Sequence, residues 1–169
     1  IIAATKTWVE RAVIGLNLCP FAKSVFVKKQ VRYALTAATT ADELLAELEQ
    51  ELTRLAETAP EEMDTTLLIH PQVMTDFLDF HFFLAEADAL IRNLGFEGVF
   101  QIASLHPRYE FAGSEADDIA NFTNRSPYPT LHILRESSID RAVAAFPDAE
   151  SIFERNIETM ERLGHEGWK

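Results

Sequence analysis

The chain has 169 residues, 47% of them hydrophobic, and carries 15 basic against 27 acidic side chains for a net charge of −12. A chain of this size buries roughly 70% of its unfolded surface, so it holds a core without metal or disulfide. The acidic balance argues against nucleic acid, whose backbone requires clustered Lys and Arg, and no run approaches the ~20 apolar residues of a membrane helix.

The longest apolar stretch, Phe77 to Ile91, is broken by Asp79, His81, Glu86 and Asp88. No signal peptide is recognised, and a lone Cys19 suits a reducing, cytoplasmic compartment. The chain opens at Ile1 rather than Met, so native residues are expected to precede it. Length and composition predict a single domain over residues 1–169.

Thr7 and Glu10 read as a capping box for a first helix over Trp8 to Asn17, stopped near Leu18 by the Cys19-Pro20 pair. Pro20 then starts a short helical turn through Phe21, Ala22 and Lys23. Val25, Val27, Val31 and Tyr33 alternate with polar or outward residues, the period of a half-solvated strand at a sheet edge. A second capping box, Thr40 to Glu43, opens an amphipathic helix with Leu44, Leu45, Leu48, Leu52 and Leu55 inward and a solvated face of Glu47, Glu51 and Arg54.

Thr66 to Ile69 is a short apolar run closed by His70-Pro71 and reads as a buried strand. A long helix follows, about Thr75 to Asn93, with Phe77, Phe80, Leu84, Ala87, Ile91 and Leu94 as its core stripe and Gly95 as its cap. Val99 to Leu105 is the next buried strand, again closed by a His-Pro pair at His106. The long connection from Pro107 to Pro129 is expected to hold a short helix capped by Ser114 and Asp117. Thr130 to Arg135 is a further strand, and Ser137 to Phe146 and Asp148 to Leu163 are closing helices, the last ended by Gly164.

These elements predict an α/β fold, close to α+β, in which helices pack on a mixed sheet of about four strands. Strand, long helix and strand form a βαβ unit, whose parallel strands bring His70 and His106 to one carboxyl edge, where open α/β sheets bind ligands. The helix before Thr130 is too short to cross the sheet, so the last strand is expected to be antiparallel and to begin at that same edge.

Three loops hold the candidate chemistry. Cys19, ahead of a helical turn and near Lys23, is a candidate nucleophile if the turn's partial positive charge lowers its pKa; its other reading is an inert buried thiol. His70 and His106, fixed by their prolines, are candidate acid–base groups; the other reading is structural capping of strand ends. A metal would need a further ligand, and Glu110, Asp76 and His132 stand at no recognised ligand spacing, so no metal site is assigned. His132, inside a strand, reads as a satisfied core residue.

In the third loop two prolines stiffen a display of Asn124, Arg125, Ser126 and Tyr128. Arg125 is the candidate clamp for a carboxylate or phosphate, with Arg108, Tyr109, Asn124 and Ser126 as further substrate-binding groups; the bland alternative pairs Arg125 with Asp117 or Asp118. Ser126 lacks the small-residue elbow of a hydrolase nucleophile.

Asn17-Leu-Cys-Pro-Phe-Ala22, His106-Pro-Arg-Tyr-Glu-Phe111 and Asn124-Arg-Ser-Pro-Tyr-Pro129 with His132-Ile-Leu-Arg135 together resemble the bacterial and plastid family known as domain of unknown function 1415, over nearly the whole chain. The resemblance implies no reaction and no cofactor, and it assigns a role to no residue.

The reading reached is a small-molecule enzyme or ligand-binding protein acting on an anionic metabolite at a His/Arg-lined pocket. A non-catalytic interaction module is the alternative, with Tyr109, Phe111, Phe122 and Tyr128 as its contact surface. A metal-dependent hydrolase is the third. Cofactor and oligomeric state are not legible.

Overall fold

The computed structural model describes residues 1–169. Four short β-branched or leucine-rich runs form one mixed sheet: β1 (Val31–Leu35), β2 (Thr65–Ile69), β3 (Phe100–Leu105) and β4 (Thr130–Arg135), in the order β1-β2-β4-β3. The fold is α/β. β1 and β2 are parallel neighbours joined by helix α3 (Ala41–Glu57), a βαβ unit that the sequence reading did not name. β2 and β3 also run in the same direction, joined by α4 (Phe77–Asn93), and β4 lies antiparallel between them.

The inserted strand decides where the loops meet. Thr130 pairs with both Ile69 and Leu105, so the carboxyl ends of β2 and β3 and the start of β4 share one edge. Backbone bonds continue past the strands, with the His70 N–H on the Pro129 carbonyl at 3.0 Å and the His106 N–H on that of Asn124 at 3.2 Å.

Alternation puts Leu68, Phe100, Leu131 and Ile133 on the face covered by α3 and α4. They pack against Leu44, Leu48, Leu52 and Leu55 of α3 and Phe80, Phe83, Ala87 and Ile91 of α4. Thr40 caps α3 with the expected reciprocal box. At its other end Arg135 donates from one guanidinium nitrogen to the carbonyls of Leu55 and Thr58, where the helix ends, and of Met63 in the turn beyond it.

The opposite face carries Tyr33, Leu67 and Ile69, and Lys6 of the N-terminal helix α1 (Ile2–Trp8) lies 5.1 Å from the Tyr33 ring. The closing helices are α5 (Glu136–Ala145) and α6 (Ile152–Trp168), the latter kinked where Gly164 takes φ 65. Asn156 of α6 donates to the Leu18 carbonyl at 2.9 Å and so ties the two chain ends together. No helix is long and apolar enough to cross a membrane.

Several sequence expectations are corrected. The first helix starts at Ile2, carried there by the good helix formers Ala3 and Ala4, so Thr7 lies inside it and caps nothing. It continues as a π-helix over Val9–Ile14, ended where Asn17 takes φ 54. Residues 25–27 are helical, not extended: α2 (Ala22–Val27) closes with Lys29 at φ 59 and the Gln30 N–H on the Val25 carbonyl at 2.9 Å, and the strand begins only at Val31. Glu51 is buried rather than solvated, held by two bonds from Arg32 at 2.7 and 2.9 Å. In the long connection the short helix is a 3₁₀ turn, Ile119–Asn124, capped by Asp118. Ser114 bonds Phe111 and Asn121 instead.

Candidate functional site

His70 and His106 stand at one edge, both packed on Phe80, with ring centroids 5.3 and 5.4 Å from it. Both are fully buried. His70 Nδ1 donates to the Val73 carbonyl at 2.9 Å, which puts the ring proton there and leaves Nε2 a bare acceptor with no partner. His106 Nδ1 accepts the Arg108 N–H at 3.0 Å, so its Nε2 carries the proton and donates to the Met74 carbonyl at 3.1 Å. Met74 is itself in the left-handed region at φ 55.

Burial sets the protonation. Desolvation lowers the His70 pKa to about 4, against the opposing hydrogen bond to Val73. It lowers His106 as well, opposed by the Met74 carbonyl and reinforced by the Arg108 charge. The edge thus holds two neutral imidazoles with one unoccupied nitrogen between them, shut away from solvent.

The arginines expected to bind substrate both bond to loop carbonyls. Arg108 donates to the Thr75 carbonyl at 2.9 Å and lies 3.5 Å from Asp76, the N-cap of α4. Arg125 makes no pair with Asp117 or Asp118; it donates to the carbonyls of Tyr109 at 3.1 Å and Ala116 at 2.5 Å and lies 4.3 Å over the Phe122 ring. Ser126 is buried and donates to the Tyr128 carbonyl at 2.7 Å. Asn124 meets His106 through its backbone, and Tyr109 stacks between Phe77 and Phe111. His132 shares a 2.8 Å bond with Thr65, whose hydroxyl donates to the Ile133 carbonyl, so the imidazole is the donor.

Cys19 lies apart from this cluster, with no hydrogen bond to either histidine. The following turn does donate to it, from the Phe21 and Ala22 backbone, but burial outweighs those bonds and raises the thiol pKa, which goes with the inert reading of Cys19 and against the activated one. No three His, Cys, Asp or Glu side chains gather in a way that would hold a metal ion.

Two clefts lie between the N-terminal helical segment and α6. One cleft of about 210 Å³ is lined by Asn17, Pro20, Phe146, Arg155, Asn156, Thr159 and Arg162, among others. Its arginines meet no carboxylate: Arg155 reaches only the Asp148 carbonyl at 3.3 Å and the Phe146 ring at 5.1 Å, and Arg162 makes no hydrogen bond or ion pair. The sequence reading places no site on α6. Its signal was available, since Arg155, Thr159 and Arg162 recur at i, i+4 and i+7 on one face of a helix otherwise studded with Glu.

Among known families, the model described as protein of unknown function (DUF1415) matches residues 1–169. The chain belongs to that family. No curated protein and no solved structure matches it. Of the three segments that carry the DUF1415 resemblance, two form the closed edge, and the first, Asn17 to Ala22, contributes Asn17 and Pro20 to the cleft.

Proposed function

We propose that this DUF1415 protein binds a small anionic metabolite in the cleft between the Asn17–Pro20 turn and α6. The observation that carries this reading is the pair Arg155 and Arg162, two guanidinium groups without carboxylate partners on one polar cavity in a chain of net charge −12. Where acid is so abundant, arginines left unpaired beside amide and hydroxyl groups suit a carboxylate or phosphate brought from outside. The lone, unbridged Cys19 fits a cytoplasmic setting.

A second reading keeps the anion at the carboxyl edge, with Arg125 as clamp and His70 as general base, because His70 Nε2 is a lone pair without a partner. The interaction module has less support: Tyr109, Phe111, Phe122 and Tyr128 are half-buried, and the first three stack on aromatic rings of the chain's own fold.

A thermal-shift series with inorganic phosphate and small carboxylates at constant ionic strength separates the readings, since a ligand of the folded state raises the midpoint by mass action. The expected rise persists in Arg125→Ala and vanishes in the double variant Arg155→Ala, Arg162→Ala. A rise lost in Arg125→Ala and kept in the double variant returns the site to the edge; no rise with any anion ends both.

A further inference from the structure

The polar cleft does not end at Arg162. Leu16 belongs to its wall and also to that of a second, larger and more apolar groove of about 520 Å³. Leu163, the residue after Arg162, lines this groove together with Ala4, Trp8, Ala12 and Trp168, and Arg11 stands among them. The volume lies within the range of ordinary small-molecule sites, about 300–1,000 Å³.

The groove owes its shape to the π-helix. Each i to i+5 bond, such as the Gly15 N–H on the Glu10 carbonyl at 3.0 Å, adds a residue to the turn and moves later side chains off the face that α-helical spacing would give them. Gly15 is required where that segment ends, because a Cβ there would collide with the Arg11 carbonyl oxygen. The far wall is braced from behind: Phe122 packs edge-on against Trp168 at 5.5 Å and is itself covered by the Arg125 guanidinium.

One polar atom in this wall lacks a partner. The Trp8 indole N–H is buried and donates to nothing, a rare state for a buried donor. Arg11, like Arg162, makes no hydrogen bond and no ion pair. An apolar groove with a guanidinium, sharing the Leu16 wall with a two-arginine cleft, is complementary to a molecule with an acidic head and an apolar body.

We propose that the ligand is an amphipathic anion, a carboxylate or phosphate ester whose head lies at Arg155 and Arg162 and whose apolar body lies along Trp8, Leu16, Leu163 and Trp168. This inference rests on the anion-binding reading of the adjoining cleft and names the substrate class for it.

Trp8 and Trp168 are the two tryptophans of the chain and both line this groove, so tryptophan emission excited at the red edge reports on it. The test titrates the full chain with decanoate, acetate and inorganic phosphate, following emission and unfolding midpoint. Decanoate is expected to shift the emission saturably and to bind about tenfold or more tighter than acetate, since each buried methylene adds to the affinity. Ala4→Glu, which sets a carboxylate on the groove wall, is expected to abolish the decanoate response while phosphate still raises the midpoint.

Phosphate stabilisation with decanoate no tighter than acetate and emission unmoved overturns the inference and leaves the anion reading standing. A decanoate response undiminished by Arg155→Ala with Arg162→Ala overturns both, because the head then lies elsewhere. Sedimentation that shows a dimer, with emission blind to decanoate, makes a second copy the occupant and overturns the amphiphile.

Discussion

The carboxyl edge of the sheet and the cleft beside α6 are both rich in polar side chains, yet one is closed and the other open. At the edge the chain runs through irregular backbone, whose buried carbonyls and N–H groups must find partners outside any helix or strand. Side chains supply them: Arg108 serves Thr75, Arg125 serves Tyr109 and Ala116, Ser126 serves Tyr128, and His106 serves Met74 and Arg108. On α6 the helix satisfies its own backbone; Arg155 gives a single 3.3 Å bond to the Asp148 carbonyl, and Arg162 gives none. Polar residues in the stiff loops are thus largely engaged by the loops' own backbone, whereas Arg162 on α6 faces a cavity without a partner.

That contrast breaks most visibly at Phe80. Its ring packs on both imidazoles and is fully buried, so Phe80→Ala is expected to cost about 3–5 kcal/mol in urea denaturation, the usual range for a core Phe. The anion response at the cleft should survive in the fraction that remains folded. A cost below about 1 kcal/mol would mean that the edge tolerates an opening, and the closed description would fail.

Acid probes the same edge more gently. His70 has a pKa of about 4 in the folded chain against an ordinary 6.5, so the unfolded chain binds the extra proton first. Its contribution is complete above pH ~6.5 and is lost as pH falls towards 4, about 3 kcal/mol over that interval. His132, also lowered to about 4 by burial, loses stability in the same window. Stability curves for His70→Gln, which retains an amide donor for Val73, should be flatter between those limits; curves parallel to the parent's would show that His70 does not titrate there.

The fold was largely legible because it is written in short-range signals. β4 falls over Thr130 to Arg135 as expected, α3 starts at its capping box, and the two His-Pro pairs end β2 and β3 at a common edge. Two misreadings were also local. Val25 and Val27 alternate like a strand, but the turn begun at Pro20 runs on through them, and the apolar face of the first helix gives no sign of the added residue per turn in its π segment. Beyond the Thr40–Glu43 box and the satisfied His132, the fate of the polar groups was not legible. Arg135 answers carbonyls 72 to 80 positions away, and whether Cys19 sits in water or hydrocarbon depends on packing that no spacing encodes.

Arg125 links the two regions and gives the finest test. Its guanidinium holds Tyr109 and Ala116 on one side and covers Phe122 on the other, and Phe122 supports Trp168 at the groove. For a half-buried group making such bonds, Arg125→Met is expected to cost about 1–2 kcal/mol in denaturant unfolding, retaining the packing of the side-chain stem while removing the donors. Tryptophan emission should move slightly, because the brace behind Trp168 loosens, with anion affinity unchanged. A variant as stable as the parent but blind to phosphate would show that the guanidinium is free to act on a ligand, and the binding site would then belong to the edge and not to α6.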